Sequence, residues 1–259
     1  MIALDLAGQL VCVTGGAGSI GFATASRLVD AGASVLVLDR SKEQVDQATE
    51  SLRKKGGRVL GVALDIRQSE SVGQALEKAT SEFGSLAGLV NAAGILRTGS
   101  LRDMPEELWE EIYSVNVTGT YVCSKAAVPY LAQSPQRAIV NVSSVSAFIG
   151  SDEGFAYTTT KGAVLSFTYG IAGDLAPQGI RVNAVCPGWV SGGFTQQAMD
   201  ASDNPEALVE MASKLHYLER MATPQDVADA IVWLLSPLAS FITGTAVFVD
   251  GGYMVKRGL

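Results

Sequence analysis

LVCVTGGAGSIG, Leu10 to Gly21, joins an apolar, β-rich run to a cluster of glycines. A helical pattern follows at once, with Ile20, Ala23, Leu28 and Val29 at helical spacing before Gly32 ends it. The next apolar run, SVLVLD from Ser34 to Asp39, completes a βαβ unit. Such units are almost always right-handed, so the two strands are expected to be parallel. The alternation continues outward from there. Helices are expected at Lys42 to Lys55, Ser69 to Phe83, Pro105 to Leu131, Phe155 to Ala176, Pro205 to Leu215 and Pro224 to Leu235. Strands are expected at Arg58 to Leu64, Leu86 to Asn91, Ala138 to Val142, Arg181 to Val185 and Ala246 to Val249. Leu10 to Val13 and Ser34 to Leu38 are apolar on both faces, as strands covered by helices on both sides must be. The expected architecture is therefore α/β, three-layered and doubly wound, with a seven-stranded parallel sheet. With no break in composition, a single domain over 1–259 is expected, with a lid at about 189–217.

The formal charge of -7 argues against nucleic acid as a partner, because phosphate binding needs a basic face. The dense basic patch RKKGGR, Arg53 to Arg58, reads as a helix end: cations oppose the negative pole of the helix and Gly56 and Gly57 stop it. Cys12, Cys123 and Cys186 are odd in number and set in apolar runs, which suggests neither a disulfide framework nor a metal site. The first residues lack a basic segment and a cleavable small-residue site, and no apolar run approaches the ~20 residues that span a bilayer. The cytoplasm is the expected compartment, with no membrane partner.

Ligands of doubly wound folds bind beyond the carboxyl ends of the strands. Thr14 to Gly21 lies at such an end, where glycines allow close backbone approach and a helix N-terminus offers amides to a pyrophosphate. Asp39 ends the second strand, where a carboxylate can accept the ribose hydroxyls of an adenosine. A 2′-phosphate there meets like charge, at a cost of about 4 kcal/mol for a pair at ~4 Å and a dielectric of ~20. That favours NAD over NADP. Arg40 is the competing signal, because a guanidinium can hold a 2′-phosphate.

His216 is the only histidine, so a histidine-dependent triad or a multi-histidine metal centre is hard to build, and His216 itself reads as structural. Proton transfer then falls to Tyr, Lys, Asp or Glu. Tyr157 and Lys161 share one face of an expected helix, which brings an ammonium near a phenol and favours its ionised form. Ser144 follows the strand Ala138 to Val142 and can donate to a developing alkoxide.

Several ordered segments together resemble the short-chain dehydrogenase/reductase family over essentially the whole chain. TGGAGSIG (Gly15, Ser19, Ile20, Gly21) resembles its cofactor loop, Asp65-Ile66 its adenine contact, and NAAG (Asn91 to Gly94) its turn after a strand. Asn116, Ser144, Tyr157 and Lys161 match its catalytic tetrad; Pro187-Gly188 within PGWV, up to Val190, and the terminal VDGG match as well. The resemblance implies a Rossmann fold, a nicotinamide dinucleotide as cofactor, for which Asp39 selects NAD, and interconversion of a secondary alcohol and its ketone. It implies that Tyr157 is the general acid/base, that Lys161 lowers its pKa and holds the nicotinamide ribose, that Ser144 orients the substrate oxygen, and that Asn116 holds a water. It also implies a homotetramer, in which the apolar helix around Ala163 to Ala172 and the long one from Pro105 would pack on partners.

Three residues depart from the family pattern: Ser19 and Ala92 replace a glycine and an asparagine, and Gly192 replaces a threonine that touches the cofactor. That last contact is absent or supplied by Ser191 or Thr195. The substrate is expected to meet Ser144, Ser146, Tyr157 and Trp189, with Phe148, Glu153, Phe194, Met199 and Met211 available nearby. A polyol, a sugar or a cyclic alcohol all fit, with a small or medium polar alcohol preferred. The alternatives are a 3-oxoacyl-thioester reductase, against which Asp39 speaks, and a non-catalytic dinucleotide-binding regulator, against which the intact tetrad speaks.

Overall fold

A computed structural model describes residues 6–256. Its seven strands are β1 (Leu10–Thr14), β2 (Ser34–Asp39), β3 (Val59–Ala63), β4 (Leu86–Asn91), β5 (Ala138–Val142), β6 (Arg181–Pro187) and β7 (Ala246–Val249). They form one sheet in the order β3-β2-β1-β4-β5-β6-β7, every neighbouring pair parallel. The helices are α1 (Ser19–Asp30), α2 (Lys42–Lys54), α3 (Ser69–Phe83), α4 (Glu106–Tyr113), α5 (Thr120–Leu131), α6 (Phe155–Leu175), α7 (Gly193–Asp200), α8 (Pro205–Lys214) and α9 (Pro224–Leu235).

Alternation along β1 sorts its side chains into two cores. Val11 and Val13 join Leu28 of α1 and Ile231 of α9 on one face, whereas Leu10 and Cys12 join Leu76 of α3, Leu131 of α5 and Leu175 of α6 on the other. Each fully buried leucine contributes about 1.5–3 kcal/mol. Both faces being covered is the reason these strands tolerate no polar alternation. The chain reverses its direction of travel across the sheet between β1 and β4, and that switch opens the crevice in which the functional residues gather.

The basic patch behaves as a helix end. Gly56 takes a φ of +93°, and the Arg53 guanidinium folds over the last turn to donate to the Val59 carbonyl at 3.0 and 2.7 Å. One expected helix needs correction. The span from Pro105 to Leu131 is two α-helices separated by a π turn, Ser114–Gly119. Within that turn the Asn116 side-chain amide bonds the main chain of Ile95 and the hydroxyl of Thr160. Helix α7 was not anticipated, because its eight residues begin at the pair Gly192-Gly193, both at positive φ.

Candidate active site

At the end of β1 the Thr14 hydroxyl donates to the Val90 carbonyl at 3.4 Å and accepts the Ala93 amide at 3.2 Å, which locks the turn after β4 beside the glycine loop. Gly15 has a φ of +63°, and a Cβ on it would lie 2.7 Å from the Ala93 backbone. A Cβ on Gly21 would lie 2.1 Å from the Gly15 carbonyl oxygen, so α1 closes directly onto the loop. No side chain caps the first turn of α1, and its positive end is left to solvent. Ile20 leans into the core beneath this turn. Asp39 stands beside it, its carboxylate accepting the Ala17 amide at 3.1 Å and the Arg40 amide at 2.7 Å. Arg40 is exposed. Asp65 forms a two-pronged pair with the Arg67 guanidinium, which holds its carboxyl below the usual range, and Ile66 is buried beneath Gly119.

The chemistry-bearing cluster sits on α6, β5 and the π turn. Lys161 is 6% exposed, and its ammonium donates to the Val142 carbonyl at 2.8 Å, 5.5 Å from the centre of the Tyr157 ring. Burial pulls the lysine down to about 8. Burial also pushes the Tyr157 phenol up to about 12, and the Ser144 hydroxyl beside it pulls the other way. Ser144 itself is held in extended backbone, its hydroxyl accepting the Ser146 amide at 3.1 Å. Ser143, one residue earlier, donates to the Lys161 carbonyl at 2.9 Å and anchors α6 to β5.

Asn116 is 1% exposed and braces the cluster rather than touching open space with its side chain. Its oxygen accepts the Ile95 amide at 2.8 Å; its nitrogen donates to the Ile95 carbonyl and the Thr160 hydroxyl, both at 3.0 Å. Thr160 in turn donates to the Tyr157 carbonyl at 2.9 Å. A Cβ on Gly94 would stand 3.2 Å from the Asn116 oxygen and 3.7 Å from the Lys161 nitrogen, so this glycine lies against both. Asn91 is placed differently. Its amide nitrogen turns inward to Ser124 at 3.0 Å and Asn141 at 2.8 Å, which leaves only its main chain at the crevice.

At the end of β6 the chain leaves the sheet through Pro187 and Gly188, whose amide donates to the Val249 carbonyl at 3.2 Å. The Trp189 carbonyl accepts the Ala222 amide and the Ser191 amide donates to the Ala222 carbonyl, each at 2.9 Å. Val190 between them forms a parallel bridge with Ala222, and its own amide and carbonyl have no partner among the described residues. Beyond it α7 returns Phe194 to the cluster, edge-on to the Tyr157 ring at 6.1 Å between centres. Trp189 and Ser146 are half-buried nearby, and Phe148 packs on Phe248 of β7 at 4.9 Å. Thr160 and Ser143 carried no signal in the sequence; their value arises only once β4, β5 and α6 are side by side. Among the described residues no group of metal-ligating side chains occurs, and no helix is long and apolar enough to cross a membrane.

A family model described as enoyl-(acyl carrier protein) reductase matches residues 15–254. The 2-(S)-hydroxypropyl-CoM dehydrogenase 3 of Xanthobacter autotrophicus is 38% identical, over 95% of this chain and 97% of that protein. A cyclopentanol dehydrogenase of a Comamonas species is 36% identical, over 95% of this chain and 96% of that one. Among solved structures, the ligand-free aldohexose dehydrogenase of Thermoplasma acidophilum matches with a TM-score of 0.89 at 34% identity, covering 98% of this chain and 97% of that one.

Proposed function

The chain belongs to the short-chain dehydrogenase/reductase family, and from that premise we propose that it oxidises a cyclic secondary alcohol to its ketone, reversibly, with NAD. It is an oxidoreductase acting on CH–OH groups, and the family works with a nicotinamide dinucleotide. The observation that carries the mechanism is the Lys161 ammonium 5.5 Å from the Tyr157 ring, with Ser144 on the same phenol.

The residues fit such a cofactor. Gly15 and Gly21 let the loop close tightly on its own backbone at the uncapped α1 terminus, where a pyrophosphate would sit, with Ser19 and Ile20 in that turn. Asp39 meets the adenosine ribose, Asp65 and Ile66 border the adenine, and the main chains of Asn91 and Gly94 follow the dinucleotide along the crevice. Beyond Pro187 and Gly188, the unpaired amide and carbonyl of Val190 suit a carboxamide. When bound, the nicotinamide accepts the hydride. Everything else is done by the chain. Tyr157 takes the proton from the alcohol oxygen; Ser144 donates a hydrogen bond to that oxygen as charge develops. Lys161 stabilises the phenolate and reaches the nicotinamide ribose. Asn116 holds the turn carrying Gly94 against α6, and its carbonyl, which accepts the Thr120 hydroxyl at 2.8 Å, would share its second lone pair with a water.

Asp39 supports NAD, because its carboxylate is held by two amides and cannot easily swing away from a 2′-phosphate. Phe194 and Trp189 support a cyclic, largely apolar substrate over a polyol or sugar, as does the likeness to a cyclopentanol dehydrogenase. The segment 189–217 acts as the lid of a single domain. A homotetramer is supported by Tyr121 on α5 and Tyr169 on α6, large aromatic rings left exposed on the outer face. Three buried free thiols suit the reducing cytoplasm. The second reading, a 3-oxoacyl-thioester reductase, is favoured by the likeness to a 3-oxoacyl-[acyl-carrier-protein] reductase of Thermotoga maritima, 33% identical over 97% of this chain. An NADH-formation screen at alkaline pH over cyclic alcohols, polyols, sugars and hydroxy acids, paired with an acyl-thioester reduction assay, separates them. Turnover of cyclic alcohols with NAD is expected; activity confined to acyl thioesters and NADPH overturns the proposal.

A further inference from the structure

His216 lies outside the catalytic cluster, yet it is 1% exposed and spans the two segments that meet above the end of β6. Its Nε2 accepts the Trp189 amide at 3.2 Å, and its Nδ1 is 2.8 Å from the Ala212 carbonyl in α8. An amide can only donate, so Nε2 is unprotonated and Nδ1 carries the proton that goes to Ala212. The ring fits a cradle made by its neighbours. A Cβ on Gly188 would stand 2.6 Å from Nε2, and one on Gly251 would stand 3.3 Å from the His216 Cβ. Lys256 donates to the carbonyls of Lys214 and His216 at 3.1 Å for the latter, and Tyr253 stacks obliquely at 5.5 Å.

The consequence falls on Val190. On one side the segment 189–191 is held by its bridge to Ala222; on the other, only His216 holds the Trp189 amide. Ala222 holds the two peptide planes that carry the Val190 amide and carbonyl, the Ser19 hydroxyl adds a bond to the Ser191 carbonyl, and His216 fixes the peptide that leads into them, so that the segment is pinned from both ends while the Val190 edge stays unpaired. We infer that His216 is a positioning residue: through the Trp189 amide it sets the Val190 main-chain edge that grips the carboxamide end of the dinucleotide, while through Ala212 it ties that edge to the lid. This rests on the dinucleotide reading given above.

Two neutral variants divide the two bonds. In H216Q the side-chain oxygen reaches the place of Nε2 and keeps the Trp189 bond; in H216N the amide nitrogen takes the place of Nδ1 and keeps only the Ala212 bond. The KM for NAD, kcat and the thermal midpoint are measured on each full-length variant. H216N is expected to raise the KM for NAD by about three- to tenfold, the factor of one neutral hydrogen bond, with kcat changed less and H216Q close to wild type. Equal KM effects in the two variants, tracking only the loss of stability, overturn the inference. Because the chain has a single histidine, nitrogen-labelled histidine in the wild type reports its tautomer without assignment, and an Nε2-protonated ring also overturns it. A wild type that binds no dinucleotide overturns the cofactor reading itself, an outcome distinct from either.

Discussion

Replacing Lys161 by methionine should separate what this residue does for chemistry from what it costs the fold. Burial lowers its pKa from 10.5 to about 8, and at 6% exposure there is little solvent to screen the effect. The difference of roughly 2.5 units corresponds to about 3 kcal/mol at ~1.4 kcal/mol per unit. Below pH 8 both folded and unfolded chains carry the proton, and the folded chain bears the whole penalty. Between pH 8 and 10.5 the folded lysine releases its proton before the unfolded one does, so stability rises across that window. The wild type should therefore gain about 3 kcal/mol relative to Lys161→Met between those limits in urea unfolding. The lost bond to the Val142 carbonyl adds an offset that does not vary with pH. Activity should move the other way. An ammonium 5.5 Å from the ring stabilises a phenolate by about 3 kcal/mol at an effective dielectric of ~20, so alcohol oxidation by the variant should fall at least about a hundredfold. A difference in stability that stays flat from pH 8 to 10.5 would refute the reasoning.

Tyr157→Phe should keep NAD affinity, read by fluorescence titration, within a few-fold while turnover falls by about 10³ or more; near-normal turnover removes the phenol from the chemistry. Asp39→Ser removes the like charge facing a 2′-phosphate and should shift the NADP-to-NAD ratio of kcat/KM upward by about a hundredfold, whereas an unchanged ratio means the carboxylate does not face the ribose. Phe194→Ala takes away the ring packed on Tyr157 and should raise the KM for cyclopentanol by about three- to tenfold with the KM for NAD unchanged. Sedimentation should find a tetramer, and a monomer would leave Tyr121 and Tyr169 without the partner proposed for them.

The sheet was legible because its central strands are short and apolar on both faces, and β1 is followed at once by glycines. No other element type explains runs such as LVCVT and SVLVLD. The π turn was not legible, since nothing in SVNVTG announces it; the partners of the Asn116 side chain within it, Ile95 and Thr160, are distant in sequence. Asn91 was read as a cofactor contact from its place after β4; its side-chain nitrogen serves Ser124 and Asn141, so the contact proposed for it falls to its main chain. Ser19 and Gly192 each looked like an isolated departure from the family pattern. The structure makes them a pair. The Ser19 hydroxyl donates to the Ser191 carbonyl at 3.4 Å, and a Cβ on Gly192, which has a φ of +81°, would stand 3.1 Å from that same hydroxyl. A threonine at 192 and a serine at 19 would contend for one space. Thr195, buried in the first turn of α7, donates its amide to the Gly192 carbonyl at 3.1 Å.

Burial acts on the two reacting side chains in opposite directions and leaves both biased toward the neutral form: the phenol at about 12, the lysine at about 8. Ser144 offsets the first only in part, and the nearby Cys186, itself pushed up to about 11, stays a neutral thiol and adds no negative charge. Left to its own residues, the site therefore holds Tyr157 protonated through the physiological range, a state fit to donate to a ketone but not to accept from an alcohol. Oxidation requires a further positive charge near the phenol, and the vacant hydrogen-bonding edge of Val190 is where a positively charged ring bearing an amide would be held. At the other end of the crevice the charge requirement is reversed. There the uncapped start of α1 favours an anion in a chain whose net charge of -7 otherwise repels one. A ligand positive at one end and negative in its middle satisfies both demands at once. An oxidised nicotinamide bound there would supply that charge, and Tyr157 would then act as a base toward an alcohol, whereas beside the neutral reduced form it would stay the acid that a ketone needs.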